Sequence, residues 1–144
     1  MRILKIHSKD FKEIEAIGNS VLPIYYTMFD LHQMIRNNKF LLFKIVSGVK
    51  IVGFIILEKE AKNFHICSFG IVKEYQRQGI ATGVLDRIKK KYNDCSLSLN
   101  VHVENTKAIS CYEKNGFQKK KFLSKYYCVF TSCNDAYYMV CSQK

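Results

Sequence analysis

The sequence of 144 residues contains a single proline, Pro23, and only seven glycines. It has no internal repeat, no low-complexity segment and no stretch rich in proline, glycine or serine that would form a linker. A chain of this length suits one folding unit better than two, so we predict a single domain over residues 1–144. With 48% hydrophobic and 24% charged residues, the composition excludes a chain that is disordered throughout.

Long hydrophobic runs are also missing. The apolar stretches are short, such as residues 52–57, which include a glycine, whereas a membrane-spanning helix needs about 20 apolar residues. At the N-terminus, Lys5 and His7 interrupt the apolar stretch and no small-residue cleavage site follows, which excludes the pattern of a secretory signal peptide. We therefore predict a cytoplasmic protein that does not associate with a membrane.

Metal-binding patterns are absent from the six cysteines and four histidines. No two cysteines show the C-x-x-C spacing, and the histidines do not cluster beside them. We predict that the chain has no metal site and that its thiols are reduced and mostly buried. Cys111 could still carry a reactive thiol, because it lies on a predicted helix of the site described below.

Acidic residues are scarce. There are 12 of them against 23 lysines and arginines, so the formal net charge is +11. A charge of this size indicates an anionic partner, which could be a nucleic acid, a membrane face or a phosphorylated small molecule. Two runs, at residues 89–91 and 119–121, consist of three lysines each. Such runs are usually solvated faces, so they do not choose among these partners.

Hydrophobic periodicity predicts alternating strands and helices. Ser8 is a suitable N-cap for the first helix, and Leu22-Pro23 ends it because the residue before proline avoids the α-helical region. The predicted strands cover residues 2–6, 40–46, 50–57, 64–72 and 96–103, with two more after Phe117, and the predicted helices cover residues 11–21, 25–36, 79–92 and 106–115. The helix at 79–92 joins two strands, which predicts a right-handed parallel pair. One face of strand 96–103 is polar, which suggests that it borders a cleft.

The strongest local signal is Gln76-Arg77-Gln78-Gly79-Ile80-Ala81-Thr82, at a strand-to-helix junction. Small side chains at Gly79 and Ala81 let an anion approach the backbone, and the first N–H groups of the helix point towards that anion. The segment lacks the ending of a Walker loop and the spacing of a dinucleotide fingerprint. The segment alone fits a pyrophosphate site and an ordinary glycine-containing helix start equally well.

Two motifs together carry a family resemblance. The Gln76-x-x-Gly79-x-Ala81 pattern resembles the acetyl-coenzyme A motif of the GCN5-related N-acetyltransferases, the GNAT superfamily. The segment Asn105-x-x-Ala108-x-x-x-Tyr112-x-x-x-Gly116-Phe117 is similar to the second signature of that superfamily and follows at the expected distance. Within the superfamily, the chain resembles the NatE-type protein N-terminal acetyltransferases most. That closer likeness rests on residues 22–26, 75–77 and 125–127.

The resemblance implies an α/β fold of one GNAT domain. Its mixed central sheet would have about seven strands, with helices on both faces and a splayed parallel strand pair at the cofactor site. The implied activity transfers acetyl from acetyl-CoA to the N-terminal amine of a protein, with coenzyme A as the product and no metal involved. The expected acceptor is an initiator methionine followed by an apolar residue, which attacks directly in a ternary complex.

The resemblance also assigns site residues. Tyr112 would protonate the leaving thiolate. A tyrosine and a histidine assist the amine in NatE-type enzymes, but this chain has His65 and Asn100 at those positions. Our hypothesis is that His65 acts as the base while Asn100 orders a water molecule, with His102 in reserve. The implied cofactor-binding residues are Phe69, Ile71, Val72, Gln76, Arg77, Gln78, Gly79, Ile80, Ala81, Thr82, Asn105, Tyr112 and Lys114. The implied substrate-binding residues are Leu22, Pro23, Ile24, Tyr26, Cys67, Tyr126 and Tyr127.

Two alternatives stay open. The same fold could acetylate a lysine side chain or a small amine; a polyamine site would need acidic residues in the cleft, and the polar face of strand 96–103 supplies none. The chain could instead be a basic, non-enzymatic module that binds nucleic acid with a steep salt dependence. The implied partners are protein N-termini and peptides, and the basic charge keeps open docking near ribosomal RNA or an auxiliary subunit.

Overall fold

The computed structural model describes residues 1–143. Its strands are β1 (Arg2–Lys5), β2 (Phe40–Ser47), β3 (Lys50–Glu60), β4 (Asn63–Ile71), β5 (Ser96–His102), β6 (Gln118–Leu123) and β7 (Ala136–Cys141). Its helices are α1 (Phe11–Val21), α2 (Met28–Ile35), α3 (Ile80–Lys91) and α4 (Thr106–Lys114). Two short 3-10 turns lie at Ser8–Asp10 and Lys73–Tyr75.

The strands form a seven-stranded sheet in the order β1-β2-β3-β4-β5-β7-β6. β4 and β5 run parallel and their neighbours pair antiparallel, so the predicted mixed sheet and parallel pair are confirmed. The pairing of β4 with β5 stops at Ile66 and Leu99, although the strands continue to Ile71 and His102. The two strands therefore diverge at their carboxyl ends and open the sheet there.

Helices cover the sheet on two sides. Apolar side chains of α1 and α2, such as Phe11 and Leu31, form one core with the inward face of β3. Apolar side chains of α3 and α4, such as Leu85 and Ile109, form a second core with alternate residues of β3, β4 and β5. This arrangement agrees with the prediction of helices on both faces.

Several element boundaries differ from the prediction. α2 begins at Met28 rather than Tyr25, because Thr27 and Asp30 form a capping box: the Asp30 N–H donates to Thr27 Oγ1 at 3.2 Å, and the Thr27 N–H donates to Asp30 Oδ2 at 2.9 Å. Ser8 does not cap α1, since the chain enters through the 3-10 turn, where the His7 N–H donates to Asp10 Oδ2 at 2.8 Å. β3 runs on to Glu60 and carries acidic residues into the sheet.

Among residues 1–143, no helix has the length and apolar character needed to cross a membrane. The same residues contain no group of three or more side chains placed to hold a metal ion.

Candidate functional site

The divergence of β4 and β5 opens a groove of about 1720 Å³. All the site residues predicted from the sequence line this groove except Val72 and Gln78. Val72 packs against both cores, and the Gln78 side chain turns back so that its Nε2 donates to the Glu74 carbonyl at 3.0 Å. The contact of these two residues with the cofactor stays a prediction, and it would be made by their backbone groups.

One end of the groove is the turn that leads into α3. Arg77 and Gly79 have left-handed backbone conformations, with φ of 63° and 79°. The N–H groups of Ile80, Ala81 and Thr82 belong to the first turn of α3, so they have no carbonyl partner within the helix. A Cβ atom on Gly79 would meet nothing within 4 Å. Open space in front of free N–H groups at a helix N-terminus fits a pyrophosphate.

Two polar side chains of the groove, Gln76 and Asn105, have hydrogen-bond partners within the fold. Gln76 Nε2 donates to the Ile71 carbonyl at 2.8 Å, which ties the turn to the end of β4. Asn105 caps α4, because its Oδ1 accepts from the Ala108 N–H at 3.3 Å. Both residues thus shape the groove through local bonds.

Tyr112 lies on α4 and lines the groove. Burial, with smaller contributions from Cys111 and Tyr127, raises the pKa of its phenol above the ordinary value. Its ring packs edge-on against Phe117 with centroids 5.6 Å apart. The phenol is therefore protonated at neutral pH and can supply a proton to a leaving group in the groove.

His65 lies on β4 and faces the polar side of β5. Its Nδ1 is 2.8 Å from Ser98 Oγ, and its Nε2 is 3.5 Å from Asn100 Nδ2. Burial lowers the pKa of His65, and this effect outweighs the opposing influence of Glu60 and Glu58. The imidazole is therefore neutral at physiological pH.

His102 has partners at both ring nitrogens. The backbone N–H of Glu104 donates to Nδ1 at 3.0 Å, which leaves the ring proton on Nε2, where it is donated to the Cys133 carbonyl at 2.7 Å. The ring also packs against Phe130, with centroids 4.8 Å apart. In this geometry neither nitrogen has a lone pair available to a substrate, which disfavours the reserve role of His102 as a base; that role stays a prediction. His102 instead attaches the loop between β6 and β7 to β5.

That loop, residues 124–135, carries two tyrosines into the groove. Asn134 fixes its shape, since the Phe130 N–H donates to Asn134 Oδ1 and Asn134 Nδ2 donates to the Phe130 carbonyl, both at 3.0 Å. Tyr126 lies edge-on to Tyr127, and its hydroxyl accepts from Asn100 Nδ2 at 3.0 Å. The loop therefore holds Tyr126 over the polar face of β5.

Leu22, Pro23 and Ile24 follow α1 and line the groove with exposed apolar surface; Ile24 is 47% exposed. Tyr26 lies near Cys67. Burial, together with nearby Cys67 and Glu58, raises the pKa of Tyr26 to about 12, and burial together with Glu58 and Glu60 raises that of Cys67 to about 12. Both groups are neutral hydrogen-bonding partners at physiological pH.

Two acidic residues of this region were missed by the sequence analysis. Glu58 and Glu60 line the groove from β3, beyond the apolar run that ended the predicted strand at residue 57. Their spacing of two places both on one face if the strand continues past residue 57, but the end of the apolar run gives no sign that it does. Glu58 also forms an ion pair with Lys39, with 3.2 Å between Nζ and Oε2.

A family model described as an acetyltransferase (GNAT) domain matches residues 16–124. The chain is 30% identical to an N-alpha-acetyltransferase of Saccharolobus solfataricus, in an alignment that covers 90% of this chain and 86% of that protein. Its fold matches the crystal structure of the ribosomal-protein-S18-alanine N-acetyltransferase from Escherichia coli, with a TM-score of 0.87, 20% identity and coverage of 97% and 92%. It also matches a chimeric spermidine N-acetyltransferase from Vibrio cholerae, with a TM-score of 0.84, 20% identity and coverage of 98% and 95%. The last two likenesses concern the fold alone.

Proposed function

Because the chain belongs to the GNAT acetyltransferase family, we propose that it transfers acetyl from acetyl-CoA to the α-amine of a protein N-terminus. One observation carries this proposal: a single groove contains the helix N-terminus at Gly79, the protonated phenol of Tyr112 and the apolar segment at residues 22–24. The 30% identical relative, which is an N-alpha-acetyltransferase, supports the choice of acceptor.

Different residues would bind acetyl-CoA and assist the transfer. The N–H groups of Ile80, Ala81 and Thr82 would bind the pyrophosphate of acetyl-CoA, which supplies an acetyl thioester. In the transfer the amine nitrogen would form a bond to the acetyl carbon, the carbon–sulfur bond would break, and the phenol of Tyr112 would protonate the thiolate. The nitrogen would lose one proton to solvent, and the phenolate would regain one from solvent. Protonating the leaving group in this way is general acid catalysis.

The groove suggests an apolar first residue in the acceptor. Leu22, Pro23 and Ile24 offer an apolar wall without an acidic side chain, which fits methionine followed by an apolar residue. Tyr126 and Tyr127 would donate or accept hydrogen bonds with the peptide backbone. We place this reaction in the cytoplasm, with nascent protein N-termini as the partners.

A peptide panel tests the proposal. Acetylation by the purified protein is measured with peptides that vary at residues one and two, beside an N-terminally blocked peptide that contains lysine. We expect activity with free Met-Leu and Met-Ile termini and none with the blocked peptide. Activity confined to the blocked peptide would rule out the N-terminal assignment.

A second candidate acceptor is a small polyamine. Glu58 and Glu60 line the groove and would attract a polycation, a feature that the polar face of β5 lacks. Spermidine is therefore included in the panel, with the Glu58→Gln variant for comparison. A higher kcat/KM for spermidine than for every peptide, reduced in the variant, would favour this acceptor. The non-enzymatic nucleic-acid module is no longer an alternative, because the chain is an acyltransferase by family.

A further inference from the structure

A row of hydrogen-bonded side chains lies behind His65, on the face of the sheet where β4 and β5 still pair. Asn63 Nδ2 donates to Glu60 Oε1 and to Ser98 Oγ, each at 2.9 Å, and Ser98 Oγ lies 2.8 Å from His65 Nδ1. The strand register produces this row, because Asn63 pairs with Ser96 and His65 pairs with Ser98.

The direction of the hydrogen bonds in this row follows from the chemistry of its ends. The carboxylate of Glu60 has no proton to donate, so the Asn63 atom that faces it is the nitrogen. Both Asn63 N–H groups are then used, one on Glu60 and one on Ser98, while Asn63 Oδ1 accepts from Ser96 Oγ at 2.8 Å. Every polar group of Asn63 therefore has a partner.

Ser98 transmits that direction to the imidazole. It is completely buried, and its oxygen already accepts from Asn63. Within the described chain, the hydroxyl proton of Ser98 has one hydrogen-bond acceptor, which is His65 Nδ1. If Nδ1 carried the ring proton instead, the hydroxyl proton of Ser98 would be buried without an acceptor. That tautomer should therefore be less populated than the Nε2–H tautomer by a factor of roughly five or more.

We propose that Ser98 is a positioning residue that holds His65 in the tautomer with its proton on Nε2. His65 then presents a proton to the groove rather than a lone pair, and the acceptor amine must enter already neutral. The second statement rests on the proposed function, and it replaces our sequence-based hypothesis that His65 is the base. An α-amine is partly neutral near its ordinary pKa of about 7.7–8.0, so the reaction does not require a base on the protein.

The longer contact of His65 is compatible with this assignment. Its Nε2 lies 3.5 Å from the Asn100 amide, whose Oδ1 is buried without a partner in the part of the chain described. Asn100 Nδ2 already donates to the Tyr126 hydroxyl at 3.0 Å, and 3.5 Å is long for a hydrogen bond, so this contact does not require a lone pair on Nε2.

The ionisable groups around His65 come from several elements. Glu58 and Glu60 face it from β3, Tyr138 stacks on it from β7 with centroids 6.3 Å apart, and Tyr126 approaches Asn100 from the loop. Burial outweighs the two carboxylates and keeps the ring neutral. The tautomer, rather than the charge, is then the variable that Ser98 controls.

Nuclear magnetic resonance of the imidazole nitrogens tests the assignment without reference to activity. In the ¹⁵N-labelled protein at neutral pH, we expect His65 Nε2 to carry the proton and Nδ1 to show the shift of an acceptor nitrogen. In Ser98→Ala, which removes the hydroxyl, we expect a mixture of the two tautomers. A proton on Nδ1 in the unmodified protein would overturn the proposal, and so would an unchanged Nε2–H population in Ser98→Ala.

A matched pair of variants should reverse the tautomer. In Glu60→Gln the side-chain oxygen of residue 60 still accepts from Asn63, so His65 should keep Nε2–H. In the double variant Glu60→Gln with Asn63→Asp, the new carboxylate accepts from Ser98, whose oxygen then accepts from His65 Nδ1–H. We expect inversion to Nδ1–H in the double variant alone. Retention of Nε2–H there would overturn the proposal.

Kinetics test the consequence for the reaction. The rise of kcat/KM with pH should follow the amine pKa of the peptide, and it should move when a peptide with a different amine pKa is used. If the pH at which kcat/KM rises is the same for every peptide and matches the titration of His65, the statement that the amine enters neutral is overturned. If no peptide is acetylated, the proposed function fails while the resonance result still decides the role of Ser98.

Discussion

Asn115 and Thr82 connect the two helices that border the cofactor end of the groove. Asn115 Nδ2, at the end of α4, donates to Thr82 Oγ1 in the first turn of α3 at 3.2 Å, and also to the Cys111 carbonyl at 2.8 Å. Asn115 is 7% exposed. Its own carbonyl accepts from Lys89 Nζ at 2.9 Å, so α3 and α4 are joined twice through this residue.

Removing this connection should weaken both the fold and the binding of acetyl-CoA. We expect Asn115→Ala to lower the free energy of unfolding by about 1–3 kcal/mol, because it removes two side-chain hydrogen bonds made by a buried residue. Urea unfolding and calorimetric titration with coenzyme A measure the two effects. Thr82→Val removes the interhelical bond from the other side, and the two changes combined should cost less than their sum. Strict additivity would show that the bond does not couple the helices.

Replacing Tyr112 with phenylalanine should slow the chemical step. The phenol is buried and protonated, and Tyr112→Phe removes the proposed proton donor to the thiolate while keeping the ring against Phe117. We expect kcat to fall about 100-fold with little change in the KM for acetyl-CoA. The matched control is Tyr92→Phe, since Tyr92 packs against Phe64 and does not line the groove. Equal losses in both variants would contradict the assignment to Tyr112.

His102 should behave as an anchor of the loop and not as a base. His102→Leu loses the bond to the Cys133 carbonyl, so we expect the KM for peptide to rise about fivefold while kcat at saturation stays within about threefold. In His102→Gln the amide N–H can still donate to Cys133, and the KM should return towards that of the unmodified protein. A loss of about 100-fold or more in kcat, without rescue by glutamine, would identify a base instead.

Local patterns were sufficient to predict the order of strands and helices and most of the groove. The turn at Gly79 and the helix of Tyr112 carry motifs, so their places could be read from neighbouring residues. The end of β3 could not be predicted in this way. The apolar run stops at residue 57, so Glu58 and Glu60 fit a turn, whereas pairing with β4 continues the strand through them. Pairing with a neighbouring strand is a tertiary effect that periodicity does not show.

The role of His102 and the state of His65 were not predictable for a related reason. Cys133 lies 31 residues from His102, and Ser98 lies 33 residues from His65. Alternation correctly placed Asn100 and His102 on one face of β5 but could not show that a distant loop occupies both nitrogens of His102. Long-range partners thus determine the hydrogen bonds of both histidines.

Some of the lysines that produce the net charge of +11 make contacts within the fold. Lys89 caps the end of α4 through the Asn115 carbonyl, and Lys91 lies over the rings of Phe43 and Tyr92 at 5.5 and 5.6 Å. On β6, Lys119 lies 4.4 Å from the centre of the Tyr137 ring. Some lysines of both basic runs, at residues 89–91 and 119–121, therefore contact groups within the fold, including aromatic rings on which their cations pack.

Stability at alkaline pH should depend on Cys67. The unfolded thiol ionises near pH 9.0, whereas burial, with Glu58 and Glu60, raises the pKa of the folded thiol to about 12. Between these values the folded chain keeps a proton that the unfolded chain has lost, so stability falls as the pH rises through this range. Tyr26 changes in the same direction, but only from its ordinary pKa of 10.0 to about 12.

The Cys67→Ser variant isolates this contribution, because a serine hydroxyl does not titrate in the range. We expect urea unfolding to show a loss of stability as the pH rises from about 9 towards about 12 in the unmodified protein, and a shallower loss in Cys67→Ser. The exposed Cys128 supplies the control, since Cys128→Ser should leave the slope unchanged. Burial and Asp94 also raise the pKa of Cys95, so Cys95→Ser is measured separately. An identical slope in Cys67→Ser and the unmodified protein would show that the Cys67 thiol is as solvated when folded as when unfolded.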